Sequence, residues 1–235
     1  MNLNRMVAPL AAPTQDGPES NVGSGFLVQS DGQIYLATVA HLATGQPSQT
    51  DDWSLWADEI TLHNEQQATL ARVPLFDVND DGVKVPRFKY GRSTDTPGVL
   101  ADVILLPLSP DEPMSSMSDI FHLPGAIAPY GQGDTVTIVG RRPWPALNAE
   151  THTLTEVFFE LLLCHPEGLK GDSGGPVVSS SGLLVGMNFG GDNPNYPGHG
   201  LLIPVGLIDV LTKAVDGFIT GWSYSPSVNQ TRPRP

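Results

Sequence analysis

Residues 165–178 read HPEGLKGDSGGPVV, a serine and an aspartate among four glycines, running straight into an apolar segment. A serine hydroxyl is a poor nucleophile until a base takes its proton, so Ser173 acquires chemistry only beside a histidine. Of the six histidines, His63, His122, His152, His165 and His199 have mostly polar or turn-like neighbours, whereas His41 follows IYLATVA, a strand apolar enough to be held in a core. A histidine base needs an acceptor that fixes its tautomer and stabilises the imidazolium. Asp102 interrupts the apolar run GVLADVILLPL, and a carboxylate in such a strand has to find donors. Backbone N–H groups in a tight Gly-rich turn can stabilise an oxyanion, and those of Gly171 and Ser173 are the natural pair. Each feature alone also has a plain structural explanation: a strand-end histidine, an aspartate on a solvated edge, and a turn between two strands.

Rigid elements have to bring these residues together. Twenty-five Gly and 22 Pro punctuate the 235 residues into short segments rich in β-branched side chains. The pattern predicts strands at 25–30, 34–42, 59–64, 68–76, 99–108, 135–141, 155–164, 175–180, 183–189 and 200–205. One helix is predicted at 205–216, where Leu207, Val210, Leu211 and Ala214 follow the i, i+3, i+4, i+7 spacing. The class is all-β, a sandwich or barrels. The Pro-containing tail at 223–235 and the stretch 12–21 have too few apolar residues to pack, and residues 1–22 are read as an extension ahead of the domain.

The totals narrow the partners. A net charge of −13 disfavours nucleic acid and anionic lipid. No apolar run approaches the roughly 20 residues of a membrane helix. The apolar start of the chain is broken by Pro9 and Pro13, unlike a signal peptide. The single cysteine, Cys164, excludes an intramolecular disulfide and favours a reducing, cytoplasmic compartment.

Together ATVAHL, ADVILLPL and GDSGGPVV occur in the order His, Asp, Ser, separated by 61 and 71 residues. This set resembles the chymotrypsin/trypsin superfamily of serine peptidases, from about Gly23 to Val215. GSGFLV and GHGLLIPV resemble its bacterial HtrA/Deg branch, without room for that branch's PDZ domain after Val215. The resemblance implies two antiparallel β-barrels, about 23–115 and 130–205, with a C-terminal helix and the site in the cleft between them. It implies that His41 is base and then acid, Asp102 orients it, Ser173 attacks, and the Gly171 and Ser173 amides form the oxyanion hole. The implied substrate is protein or peptide, with no cofactor and no metal. An intracellular peptidase also calls for narrow substrates, a regulatory partner or a latent state.

In trypsin-like members the acid at the floor of the specificity pocket lies six residues before the nucleophile, here Glu167, with Gly191 and Gly200 matching the wall glycines. A buried carboxylate there selects Arg or Lys; an exposed Glu167, or one paired with Lys170, does not. No IVGG-like start precedes NVGSGF, so Asp172 needs another partner. Arg141 or Arg142 can serve, or can lie in a solvated loop. DVNDDG at 77–82 places Asp77, Asn79, Asp81 and Gly82 as in half a calcium loop, but Phe88 occupies the position of the bidentate Glu, and an acidic turn is the simpler reading. GDSGG also fits the elbow of α/β-hydrolases, but only Asp192 and His199 follow Ser173 in that order, and strand–helix alternation is absent. The remaining alternative is a peptidase-fold module that captures peptides with little or no turnover.

Overall fold

The computed structural model describes residues 2–13, 20–46, 49–93, 98–109, 119–191, 195–215 and 217–220. Its N-terminal half is one sheet built from β1 (Ala8–Pro13), β2 (Ser20–Ser30), β3 (Gln33–Thr38), β4 (Gln49–Thr50), β5 (Glu59–His63) and β6 (Thr69–Pro74); β7 (Phe76–Val78) and β8 (Lys84–Pro86) then form a separate two-stranded hairpin, and β9 (Lys89–Arg92) and β10 (Val99–Leu108) return to the sheet. The hydrogen-bonded order is β9-β10-β3-β2-β1-β5-β6, with the C-terminal strand Phe218–Thr220 added parallel to β9 at its edge. The sheet curls until the Arg87 N–H, just before β9, donates to the Leu75 carbonyl, just after β6, at 2.9 Å. Trp53, Trp56, Phe76, Phe88 and Tyr90 pack on one another in edge-on, tilted and stacked pairs.

After β11 (Ile120–His122), which runs parallel to β2, the C-terminal half forms a closed barrel. Its strands are β12 (Thr135–Arg141), β13 (Leu147–Val157), β14 (Leu162–His165), β15 (Pro176–Ser179), β16 (Leu184–Gly190) and β17 (Gly200–Pro204), ordered β12-β13-β14-β17-β16-β15. Val136, Ile138, Leu154, Leu162, Cys164, Val177, Val185 and Leu202 fill its interior. The opposite-facing Val139, Val178, Met187 and Ile203 join the core of the first half. VLADVILLPL reads as one continuous hydrophobic run because β10 is buried on both faces along most of its length. The fold is therefore the expected all-β double barrel with a C-terminal helix. No helix among the described residues is long and apolar enough to cross a membrane.

Several expectations need correction. Residues 8–13 are no extension: β1 is an internal strand, paired with β2 from Ala8↔Gly25 to Pro13↔Ser20 and with β5 at Leu10 and Ala11. Residues 12, 13, 20 and 21, expected to be unpacked, lie in β1 and β2, while 14–19 and the tail at 223–235 fall outside the described residues. The strand expected at 34–42 ends at Thr38, and His41 opens a single helical turn, α1 (His41–Thr44). The strand expected at 155–164 is the end of β13 plus β14. The C-terminal helix, α2 (Val205–Thr212), is shorter than 205–216, and buries Leu207, Ile208 and Leu211 while Val210 faces solvent. In DVNDDG the Asn79 side chain accepts the N–H groups of Asp81 and Val83, and so closes the β7–β8 hairpin.

Candidate active site

His41 and Asp102 arrive on neighbouring strands. Buried Val39 and Ala40 lead from β3 into α1, whose first residue is His41. On β10 the pairing with β9 is regular at Leu100↔Arg92 and at Ile104↔Tyr90, and shifts between them, where Asp102 lies. Such irregularities re-aim a side chain. Here both carboxylate oxygens reach one residue: Oδ1 accepts the His41 backbone N–H at 2.7 Å, and Oδ2 lies 2.6 Å from His41 Nδ1. A carboxylate accepts only, so Nδ1 carries the proton and Nε2 is left to act as a base. The Asp102 side chain is 8% exposed and that of His41 31%. Burial opposes the imidazolium, but the charge and hydrogen bond of Asp102 outweigh it, and the net effect raises the His41 pKa.

Ser173 sits on the other half, in the loop between β14 and β15, pressed onto β2 and β3. The Ser24 N–H donates to the Ser173 carbonyl at 2.8 Å, and the Ser24 hydroxyl donates to the Gly171 carbonyl at 2.9 Å. The Gly174 N–H donates to the Asn188 carbonyl, and the Asn188 N–H donates to the Gly175 carbonyl. The N–H groups of Gly171 and Ser173, by contrast, donate to no group among the described residues. The His41 ring bonds to Asp102 and not to the half-buried Ser173 hydroxyl. Catalytic bonds of this kind commonly tighten only with substrate in place.

Two glycines make the loop fit. Gly171 has φ +105°, and a β-carbon on it would lie 2.7 Å from the Arg141 carbonyl oxygen. Gly174 has φ +83°, and its β-carbon would lie 2.1 Å from the Ser24 carbonyl oxygen. Gly174→Ala is expected to lift the loop from β2, cost about 3 kcal/mol or more and abolish turnover. Urea denaturation and peptide hydrolysis check this, and wild-type stability would contradict the fit.

Asp172, 1% exposed, is held by Arg142: Nε donates to Oδ2 at 3.2 Å. The Leu169 N–H and Asn148 Nδ2 add bonds at 3.3 and 3.4 Å. The arginine expected near Asp172 is thus Arg142. Arg141 turns the other way, where its buried guanidinium donates to the carbonyls of Val7, Asn4 and Pro145 and faces Glu65. Removing one partner of a buried pair strands the other charge. Arg142→Ala is therefore expected to cost about 3 kcal/mol of stability, with a ten- to hundredfold drop in kcat/KM from a loosened loop. Denaturation and steady-state kinetics read both, and an unchanged kcat/KM would separate the pair from the site.

Glu167, Gly191 and Gly200 are brought together. A β-carbon on Gly191 would lie 2.8 Å from Glu167 Oε2, and one on Gly200 would lie 3.2 Å from Glu167 Cα. Glu167 is half-buried against both glycines. Sequence reasoning missed Ser24 and Asn188. A polar residue inside the otherwise small and apolar VGSGFLV was the one available signal for Ser24.

A family profile described as the trypsin-like peptidase domain matches residues 23–187. The chain belongs to that family. As a trypsin-like peptidase it is a serine endopeptidase, a hydrolase acting on protein substrates. Solved structures share the fold. The active form of the Rv3671c protease from M. tuberculosis is 15% identical, with TM-score 0.54 over 89% of this chain and 80% of that one. The MamO protease domain from Magnetospirillum magneticum is 18% identical, with TM-score 0.51 over 88% and 95%. The serine endoprotease from Yersinia pestis is 17% identical, with TM-score 0.54 over 89% of this chain and 62% of its own. No curated protein sequence matches.

Proposed function

We propose that this peptidase cuts through an acyl-enzyme, with His41, Asp102 and Ser173 as its triad, and prefers Arg or Lys on the acyl side of the bond. The observation that carries the reading is the double contact of Asp102 with His41, which leaves Nε2 as the proton acceptor. Ser173 Oγ bonds to the peptide carbonyl carbon as its proton passes to His41 Nε2. The oxygen, now negative, takes the free N–H groups of Gly171 and Ser173. As the tetrahedral adduct collapses, the C–N bond breaks and His41 returns the proton to the leaving amine. Water then repeats the sequence: His41 takes its proton, its oxygen bonds to the acyl carbon, and Ser173 recovers the proton as the ester breaks.

The basic preference rests on Glu167. Its half-buried carboxylate lies against Gly191, and Gly200 faces its backbone, so no side chain at either position crowds it, and a carboxylate at that place selects a cation by a charge-assisted contact. The lone buried Cys164 fits a cytoplasmic setting, in which a regulatory partner would restrain such an enzyme. Hydrolysis of a peptide library varied at the residue before the scissile bond tests the preference. Arg and Lys are expected to lead and to lose their lead in Glu167→Gln, whereas a wild-type preference for Val or Ala would remove it.

A further inference from the structure

The mechanism leaves unused two histidines at the edge of the specificity slot. In the antiparallel ladder between β14 and β17, Cys164 pairs with Gly200. The register therefore carries His165 opposite His199, just beyond the last ladder pair. Cys164 and Gly200 face the interior, so alternation turns both histidines outward. Residues directly opposed across strands have β-carbons about 5 Å apart. Here the two imidazole centroids are 6.3 Å apart, with an interplanar angle of 63°.

Each ring is also oriented by a carbonyl of the same turn. His165 Nδ1 lies 3.1 Å from the Gly198 oxygen and His199 Nδ1 lies 3.1 Å from the Pro197 oxygen. A carbonyl only accepts, so both Nδ1 atoms carry protons and, in the neutral rings, both Nε2 atoms present lone pairs. This is the outer arrangement that fixes histidine ligands around a metal ion. Two imidazoles on one ion, with nitrogens about 2.0–2.1 Å from it, place their centroids about 5 to 6 Å apart. A small rotation of these outward-facing side chains reaches that spacing.

We propose that His165 and His199 form a two-histidine site for a borderline divalent cation such as Zn2+, and that its occupation inhibits the peptidase. Imidazole nitrogens favour Zn2+, Ni2+ or Cu2+ over Mg2+ and Ca2+. Among the described residues no third His, Cys, Asp or Glu completes a cluster, so solvent fills the remaining positions. The inhibitory effect follows from location. His165 is two residues from Glu167, and His199 adjoins Gly200, whose α-carbon faces the Glu167–Gly168 backbone. An ion tying the two histidines fixes both sides of the slot where a substrate side chain enters.

The binding half stands on the histidine geometry alone, and the inhibitory half rests on the peptidase reading. Calorimetric titration of Zn2+ into the full chain, with hydrolysis measured alongside, tests both. Wild type is expected to bind one ion per chain, and its kcat/KM to fall about tenfold or more until a chelator restores it. His199→Asn and His165→Asn are each expected to lose the heat and to keep hydrolysis in the presence of Zn2+, and thermal unfolding without metal confirms their fold. No heat in the wild type, or undiminished heat in both variants, overturns the site. Binding with unchanged kcat/KM overturns inhibition. Absence of any zinc-free hydrolysis would instead count against the peptidase reading, while calorimetry still reads the site.

Discussion

Replacing Ser173 by alanine is expected to lower kcat by about six orders of magnitude while leaving the unfolding transition unchanged. The size follows from cooperation: without Oγ, neither His41 nor the oxyanion donors have an intermediate to act on. Fold retention follows from the backbone, because every bond that seats the loop on β2 and β16 uses main-chain atoms or the Ser24 hydroxyl, and none uses the Ser173 side chain. Kinetics on a cleavable peptide, with thermal unfolding of both proteins, decides it. A variant that still turns over at a few per cent of the wild-type rate would mean that another group carries the chemistry. Retained peptide binding by both proteins, with no turnover by the wild type, would favour a capture module.

Asp102→Asn is expected to lower kcat by about four orders of magnitude at neutral pH, for a different reason. The carboxamide can donate to Nδ1, which turns the ring to the tautomer whose Nε2 carries the proton and cannot accept one from Ser173. The same change moves the pH profile. In the wild type the imidazole must be neutral to act as base, so kcat/KM rises with pH through a His41 pKa held above the ordinary 6.5. Asp102 supplies the upward pull and burial opposes it, so removal of the charge leaves burial to act and the acidic limb moves down. A kcat/KM profile from pH 5 to 9 for both proteins checks this, and an acidic limb that stays in place would show that Asp102 does not set the base.

Much of this arrangement was legible in residue types. A carboxylate inside VLADVILLPL needed a partner, and β10 runs over the expected residues 99–108, with Asp102 on His41. The run TVTIVGR likewise is β12, ending at the two arginines whose separate destinations only the fold reveals. β1 was not legible because Pro9 and Pro13 interrupt APLAAP. It tolerates them because its ladder with β5 is made at Leu10 and Ala11, between the prolines. The first half of β13, LNAETHTL, has little apolar alternation, and becomes a strand through its long hairpin with β12. The turn at His41 is set by its surroundings: Gly45, at φ +69°, returns its N–H to the His41 carbonyl. The seating of Ser173 depends on Ser24, 149 residues away along the chain. No local pattern reports a contact of that range.

The most direct test of the central claim is labelling of the purified chain with a fluorophosphonate, followed by mass spectrometry of its peptides. One adduct per chain is expected, on Ser173, formed rapidly in the wild type and lost in His41→Ala. An unlabelled protein, or an adduct on any other residue, would contradict the assignment of Ser173 as the nucleophile.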